Sequence, residues 1–230
     1  MWLIFQFFIM TIMSRNNFFH IVILFPFFLL SQSHDFQNWN NLEVDYKIQD
    51  NLSIYFDNSI RLAEESYFFS RYSSDFSIKR RHNKKISYSV GYRYIFHRNI
   101  KNDVIEKKNR YYGDFQFKNN LSSLIKYSFR TRFQSQFDVG EPLDEKNKIR
   151  QKVKFVYDLD KYNIDLFLSL EGFYLLNSHF DKMRYAYGAT KSLSSNVKIN
   201  INCMIEQYME DTPNDVFIFV FRTKLSIGIN

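Results

Sequence analysis

The chain has 230 residues and a formal net charge of +7, with 19% aromatics, six glycines, three prolines and one cysteine. So few breakers exclude collagen-like, linker-rich and disordered classes, and a lone Cys203 excludes an internal disulfide or a cysteine-based metal cluster. A mean hydropathy of −0.36 excludes a bundle of membrane helices.

Residues 1–33 read as an export signal. Two apolar runs, Trp2 to Met13 and Phe18 to Leu30, flank the polar, basic Ser14-Arg15-Asn16-Asn17. The second run is broken by Pro26 and ends in Ser31-Gln32-Ser33, the order of a cleavable secretory signal. Met13 then serves as the natural start, with cleavage after about Ser33 and one domain over 34–230. The second run is also short of the roughly 20 residues a helical span needs.

From Trp39 onward a period of two keeps returning. Leu42, Val44, Tyr46 and Ile48 alternate with Glu43, Asp45 and Lys47, and after a turn at Gln49-Asp50-Asn51 the pattern resumes through Ile60. Tyr67 to Lys79 alternates less regularly. Ile86 to Phe96, ISYSVGYRYIF, is strict: Ile86, Tyr88, Val90, Tyr92, Tyr94 and Phe96 against Ser87, Ser89, Gly91 and Arg93. Asn99 to Asn109 reads as a polar loop. Tyr111 to Phe117 and then Ile125 to Phe137 alternate again, the latter opposing Lys126, Arg130 and Arg132 to Tyr127, Phe129 and Phe133. Further runs follow over 149–157, 164–171, 183–190, 197–206 and 217–229, with no helical period between them. Such alternation is the mark of strands with one apolar and one polar face.

The pattern predicts an all-β fold, an antiparallel up-and-down transmembrane β-barrel of about 10–12 strands. Runs of about ten residues suit a tilted span better than an ordinary soluble strand, and short turns alternate with longer polar loops. The runs number odd, whereas closed bacterial barrels are even, so one segment within Phe36 to Trp39 or Tyr67 to Lys79 is expected to be split or missed. Trp39, Tyr67, Tyr94, Phe96, Phe137, Tyr157, Tyr174 and Phe217 stand near strand ends, where aromatic girdles form. A soluble periplasmic β-sandwich shows the same alternation and is a further alternative; the strand lengths favour the barrel.

Nearly the whole mature chain resembles the domain-of-unknown-function family 2490, exported proteins regarded as outer-membrane β-barrels. The likeness runs from the tryptophan-led strand Trp39 to Ile48, through the hairpin from Ile78-Lys79-Arg80 to Gly91-Tyr92-Arg93-Tyr94, to Tyr127-Ser128-Phe129-Arg130-Thr131-Arg132-Phe133-Gln134-Ser135-Gln136-Phe137. In that last stretch Ser135 and Gln136 replace the family's usual glutamate and arginine. The resemblance implies a fold, an outer-membrane location and insertion by the barrel-assembly machinery, and brings no catalytic residue. The chain ends Gly228-Ile229-Asn230, without the terminal aromatic of many such proteins.

Placed in a barrel, the polar parity faces a lumen. Arg93, Lys126, Arg130, Arg132, Arg150, Lys152, Lys154, Arg184 and Arg222 are the candidate lining, against fewer carboxylates such as Asp114, Asp165, Glu171 and Glu206. Two readings follow: an anion-favouring passage, or a paired charge network filling a narrow barrel. His82, His97 and His179 make no legible Ser-His pairing or metal spacing, so the expectation is a non-enzymatic barrel without cofactor or metal, acting as a small pore, a transport component or a structural surface protein; the alternative is a lipid hydrolase acting at the rim. Expected partners are outer-membrane lipid and the assembly machinery, and no nucleic acid.

Overall fold

In the computed structural model, residues 35–99, 103–140, 146–176, 180–209 and 216–229 are described; the expected signal segment lies outside them. The alternating runs form eleven strands: β1 (Asp35–Gln49), β2 (Leu52–Ala63), β3 (Phe68–Arg81), β4 (Ile86–Asn99), β5 (Val104–Asn120), β6 (Ile125–Asp138), β7 (Lys146–Leu159), β8 (Ile164–Leu175), β9 (Phe180–Ser192), β10 (Val197–Tyr208) and β11 (Val216–Ile229). Consecutive strands pair antiparallel, and β11 returns to β1 to close the barrel.

One end carries the short turns. Their geometry follows from the residues in them: Asn83 Oδ1 accepts the backbone N–H of both Lys85 and Ile86 at 2.8 Å, and Ser122 and Ser194 hydroxyls accept those of Ile125 and Val197, each at 3.1 Å. Asn and Ser side chains thus replace the ladder partners that a tight reversal removes. We refer to this as the turn end and to the other as the loop end.

The closing pair departs from expectation. With eleven strands each reversing direction, the first and last must run the same way, and β1 pairs β11 in parallel from Asp35 opposite Ile218 to Tyr46 opposite Ile229. No segment was split: Phe36 to Trp39 is the start of β1, and Phe68–Arg81 is one strand. Its irregular alternation comes from a register shift against β2 between Arg61 and Leu62, where one extra residue locally upsets the two-residue period. Side chains tie the seam on both faces. Thr223 Oγ1 donates to Asn40 Oδ1 at 2.5 Å on the outside, and Arg222 Nε donates to Asn41 Oδ1 at 3.0 Å on the inside. In a Cys203→Ser background, the pair Asn40→Cys and Thr223→Cys is expected to cross-link on oxidation, because register partners lie within disulfide reach. Non-reducing gel mobility checks it, with Asn40→Cys and Ile227→Cys, four residues out of register, as the pair that stays open.

Outside and inside are exchanged relative to a soluble protein. Val90 is 65% exposed, and Phe133, Leu168, Ile60 and Phe76 are exposed with it, while Glu206 is 2% and Glu171 5% exposed. An apolar surface continuous around the wall is what lipid solvates and water does not. Some of the polar groups on that face bond one another: Tyr72 and Ser74 hydroxyls both donate to Asn58 Oδ1 at 2.8 Å. Aromatics cluster at both ends of the strands, with Tyr46, Tyr88, Tyr127 and Tyr157 toward the turns and Tyr94, Phe96, Phe137, Tyr174 and Phe217 toward the loops. Trp39 is not among them. It shares the parity of Gln37 and Asn41, points into the barrel and is 3% exposed. Tyr67 lies between β2 and β3.

Candidate functional site: the charged lumen

The strands' inward parity encloses a cavity of about 1140 Å³, lined by side chains from all eleven strands. Of the candidate residues, Arg93, Arg130, Arg132, Arg150, Lys152, Lys154, Arg184 and Arg222 line it. Lys126 has the same parity but sits one residue from the turn before β6, where the wall ends; its Nζ lies 2.6 Å from the Asp158 carboxylate and it does not line the cavity. The lining also includes Arg71, Lys79, Arg110, Lys148 and Lys182. The residues just before Arg110 fall where a loop was expected, over Asn99 to Asn109; β5 in fact begins at Val104. Glu106, Lys107 and Lys108 put charge on both faces there and hide the period of two.

Three networks fill the wall. In the first, Arg93 Nε donates to Asp75 Oδ2 at 2.6 Å, Tyr112 Oη donates to Asp75 Oδ1 at 2.5 Å, and Arg132 grips Asp114 with Nε at 2.6 Å and Nη2 at 2.7 Å. The Arg132 guanidinium lies 3.6 Å from the Tyr112 ring centroid. Tyr112 belongs to β5 and Asp75 to β3, so the phenol must cross β4. It does so over Gly91, its register partner, where any Cβ would overlap the ring. The residue read simply as part of a polar face is the gap that lets two strands communicate.

In the second network Glu171 accepts from Arg130 Nη2 at 2.7 Å and Arg150 Nη2 at 2.8 Å, with Arg184 Nη1 at 3.8 Å. Arg184 also bonds Glu206, which takes Lys182 Nζ at 3.1 Å and the Tyr208 hydroxyl at 3.1 Å. The third spans the seam, where Lys224 Nζ meets Glu43 at 2.5 Å and Asp57 at 3.8 Å. Fork-shaped guanidiniums on carboxylates are the strong form of such bonds.

Aromatic rings take up further cations. Arg61 lies 3.5 Å from the centroid of Trp39, whose indole N–H donates to Gln37 Oε1 at 2.9 Å. Lys154 lies 4.2 Å from Phe167, and Arg150 and Arg184 each 4.5 Å from Phe173. Such contacts hold a cation without a counter-charge. They also give Trp39 a physical reason to face inward. A small apolar cluster of Trp39, Met204 and Val220 supports it.

Altogether the described lining holds 18 Lys and Arg residues against nine Asp and Glu, so the lumen is positive even after its pairs are made. Of the histidines, His97 Nδ1 is 3.0 Å from the Ser70 carbonyl oxygen and His82 packs edge-on to Tyr88; His179 lies outside the described residues. No group of three or more His, Cys, Asp or Glu able to hold a metal occurs among the described residues.

An apolar wall around a charged, hydrogen-bonded interior defines a transmembrane β-barrel of the outer-membrane type. The chain belongs to the family described as "Protein of unknown function (DUF2490)", whose model matches residues 36–217. Similar solved structures include a bacterial polysaccharide outer membrane secretin, at TM-score 0.47 and 10% identity, covering 74% of this chain and 62% of that one. This chain thus spans less than two thirds of the secretin's length. The KdgM porin, solved in complex with disordered oligogalacturonate, matches at TM-score 0.47 and 9% identity, covering 75% and 91%. The translocator domain of the autotransporter NalP from Neisseria meningitidis matches at TM-score 0.36 and 12% identity, covering 70% of each chain. No curated protein matches.

Proposed function

We propose that the protein is a non-enzymatic pore or transport barrel of the outer membrane whose lumen favours anions. The observation that carries this is the twofold excess of basic over acidic side chains around a cavity lined from every strand. A low-dielectric wall focuses the field of such an excess along the passage, concentrating counter-ions inside it. A closed charge network is supported less well: even with carboxylates shared among several cations, the described lining keeps twice as many basic as acidic side chains and is not neutralised. Outer-membrane lipid is the solvent of the apolar wall in this reading, and the barrel-assembly machinery inserts it. Purified protein in planar bilayers under a KCl gradient should show a reversal potential of the sign for chloride over potassium. Cation preference, or no conductance, would overturn the proposal.

A further inference from the structure

The lumen's carboxylates are unevenly shared. Asp75 is engaged by Arg93, Asp114 by Arg132, Glu171 by three arginines, Glu206 by Arg184 and Lys182, and Glu43 and Asp57 by Lys224. Lys152 and Lys154, two residues apart on the inward face of β7, are among the lining cations left over. Neither has a carboxylate within ion-pair distance among the described residues, although both line the cavity. The register explains why. Lys152 stands between Arg130 on β6 and Glu171 on β8, but Glu171 is already taken up by its arginines; Lys154 stands between Ser128 and Ser169, which carry no charge. Lys154 rests on the Phe167 ring instead.

Two further features belong to the same lining. Arg222 of β11 lines the same cavity, and its hydrogen bond among the described residues is a neutral one, to Asn41. Beside the lysines, the Nε–H groups of Arg130 and Arg150 are buried without an acceptor. Buried donors of charged groups are costly to leave unmet. Cations without carboxylates around one cavity call for a ligand with several negative charges and several acceptor oxygens. A single halide satisfies neither condition, whereas a tetrahedral oxyanion satisfies both.

We infer that Lys152, Lys154 and Arg222 form a seat for a phosphate group, borne by free phosphate, diphosphate or a phosphorylated small solute. The inference deepens the anion-lumen reading and rests on it for access of the solute. It does not need conduction in order to be measured.

The test is isothermal titration of the full-length folded protein in detergent at constant ionic strength, with inorganic phosphate, diphosphate, glucose 6-phosphate and chloride as separate probes. Diphosphate is expected to saturate one site, and Lys152→Gln with Lys154→Gln to weaken it at least tenfold; Lys84→Gln, in the turn after β3, leaves it unchanged. Glucose 6-phosphate binding while free phosphate does not would assign the seat to a phosphorylated solute; the converse would assign it to the free ion. Because the lysines have no ion pair to lose among the described residues, the double variant should keep its heat-modifiable band; if it does not, Arg222→Gln alone is used and the same loss is expected. No saturable binding, or binding indifferent to these variants, overturns the seat. A barrel that conducts anions yet binds no diphosphate retains the pore and loses the seat, whereas one that binds diphosphate without conducting does the reverse.

Discussion

Arginine at Val90 is expected to abolish insertion, while arginine at the adjacent Ser89 is tolerated. Val90 is among the most exposed apolar residues of the wall, near the middle of β4, and its flanks on the same face are Tyr88 and Tyr92. A guanidinium placed there meets hydrocarbon, at a cost of roughly 2–4 kcal/mol near the midplane, or a factor of roughly 30 to 900 in the equilibrium between inserted and free chain. One residue away the side chain turns to the other face. Ser89 lines the cavity, opposite Asp114 on one side and Lys79 on the other, with its hydroxyl 3.4 Å from Asp114 Oδ2. An arginine at that position meets water and a carboxylate. The measurement is recovery from the membrane fraction and the gel shift on boiling. Val90→Arg and Tyr92→Arg should give little heat-modifiable protein and Ser89→Arg near wild-type amounts. Equal recovery of Val90→Arg and Ser89→Arg would show that the outer face does not meet lipid.

That contrast was legible in the sequence because parity is a local property. In Ile86 to Phe96 or Ile125 to Phe137, each residue's face follows from its neighbours' chemistry, and burying one face fixes the register. Closure is not local. Nothing in residues 35–49 announces that they pair with residues more than 180 positions away in the same direction. The odd count of runs was visible, but a rule drawn from even-stranded barrels made it look like an error. Trp39 was misplaced for a related reason. Extending the parity of Glu43 back through Asn41 puts the indole inside, yet a large aromatic near a strand end resembles a girdle residue, and only Arg61 and Arg184 around it show why it is not one.

Charge pairing shows the same limit. Arg132 and Asp114 face each other across one ladder, so a correct register would have paired them. Tyr112 reaching Asp75 over Gly91, and Arg130 reaching Glu171 past Lys152, each skip a strand. Such contacts exist only because a curved wall brings next-but-one strands together on its concave side. Their sequence signal is negative: a small residue between two long ones, or a lysine left without an acid. The excess of basic residues was readable, but the particular lysines without carboxylate partners were not.

Glu171→Gln is expected to destabilise the barrel more than any other single loss of charge in the lumen. The carboxylate is the shared counter-ion of Arg130, Arg150 and Arg184, and Lys152 stands opposite it in register. Breaking a buried pair by removing one partner typically costs about 3–5 kcal/mol, because the other charge stays buried and uncompensated. Here one substitution strands two closely bound guanidiniums and one more distant, offset in part by lumen water and by Glu206, which still holds Arg184. Asp114→Asn, which strands Arg132 alone, is the milder comparison. The readout is the urea midpoint of the folded barrel in detergent, and the double variant Glu171→Gln with Arg150→Gln should recover much of the loss, since it removes charge from both sides of the imbalance. Added diphosphate should raise the midpoint of Glu171→Gln more than the same ionic strength of chloride, because the oxyanion then has an extra set of unpaired donors within reach of its seat. An unchanged midpoint would mean that solvent neutralises these arginines unaided. The charge network would then be a lining of the passage that contributes nothing to holding the wall together.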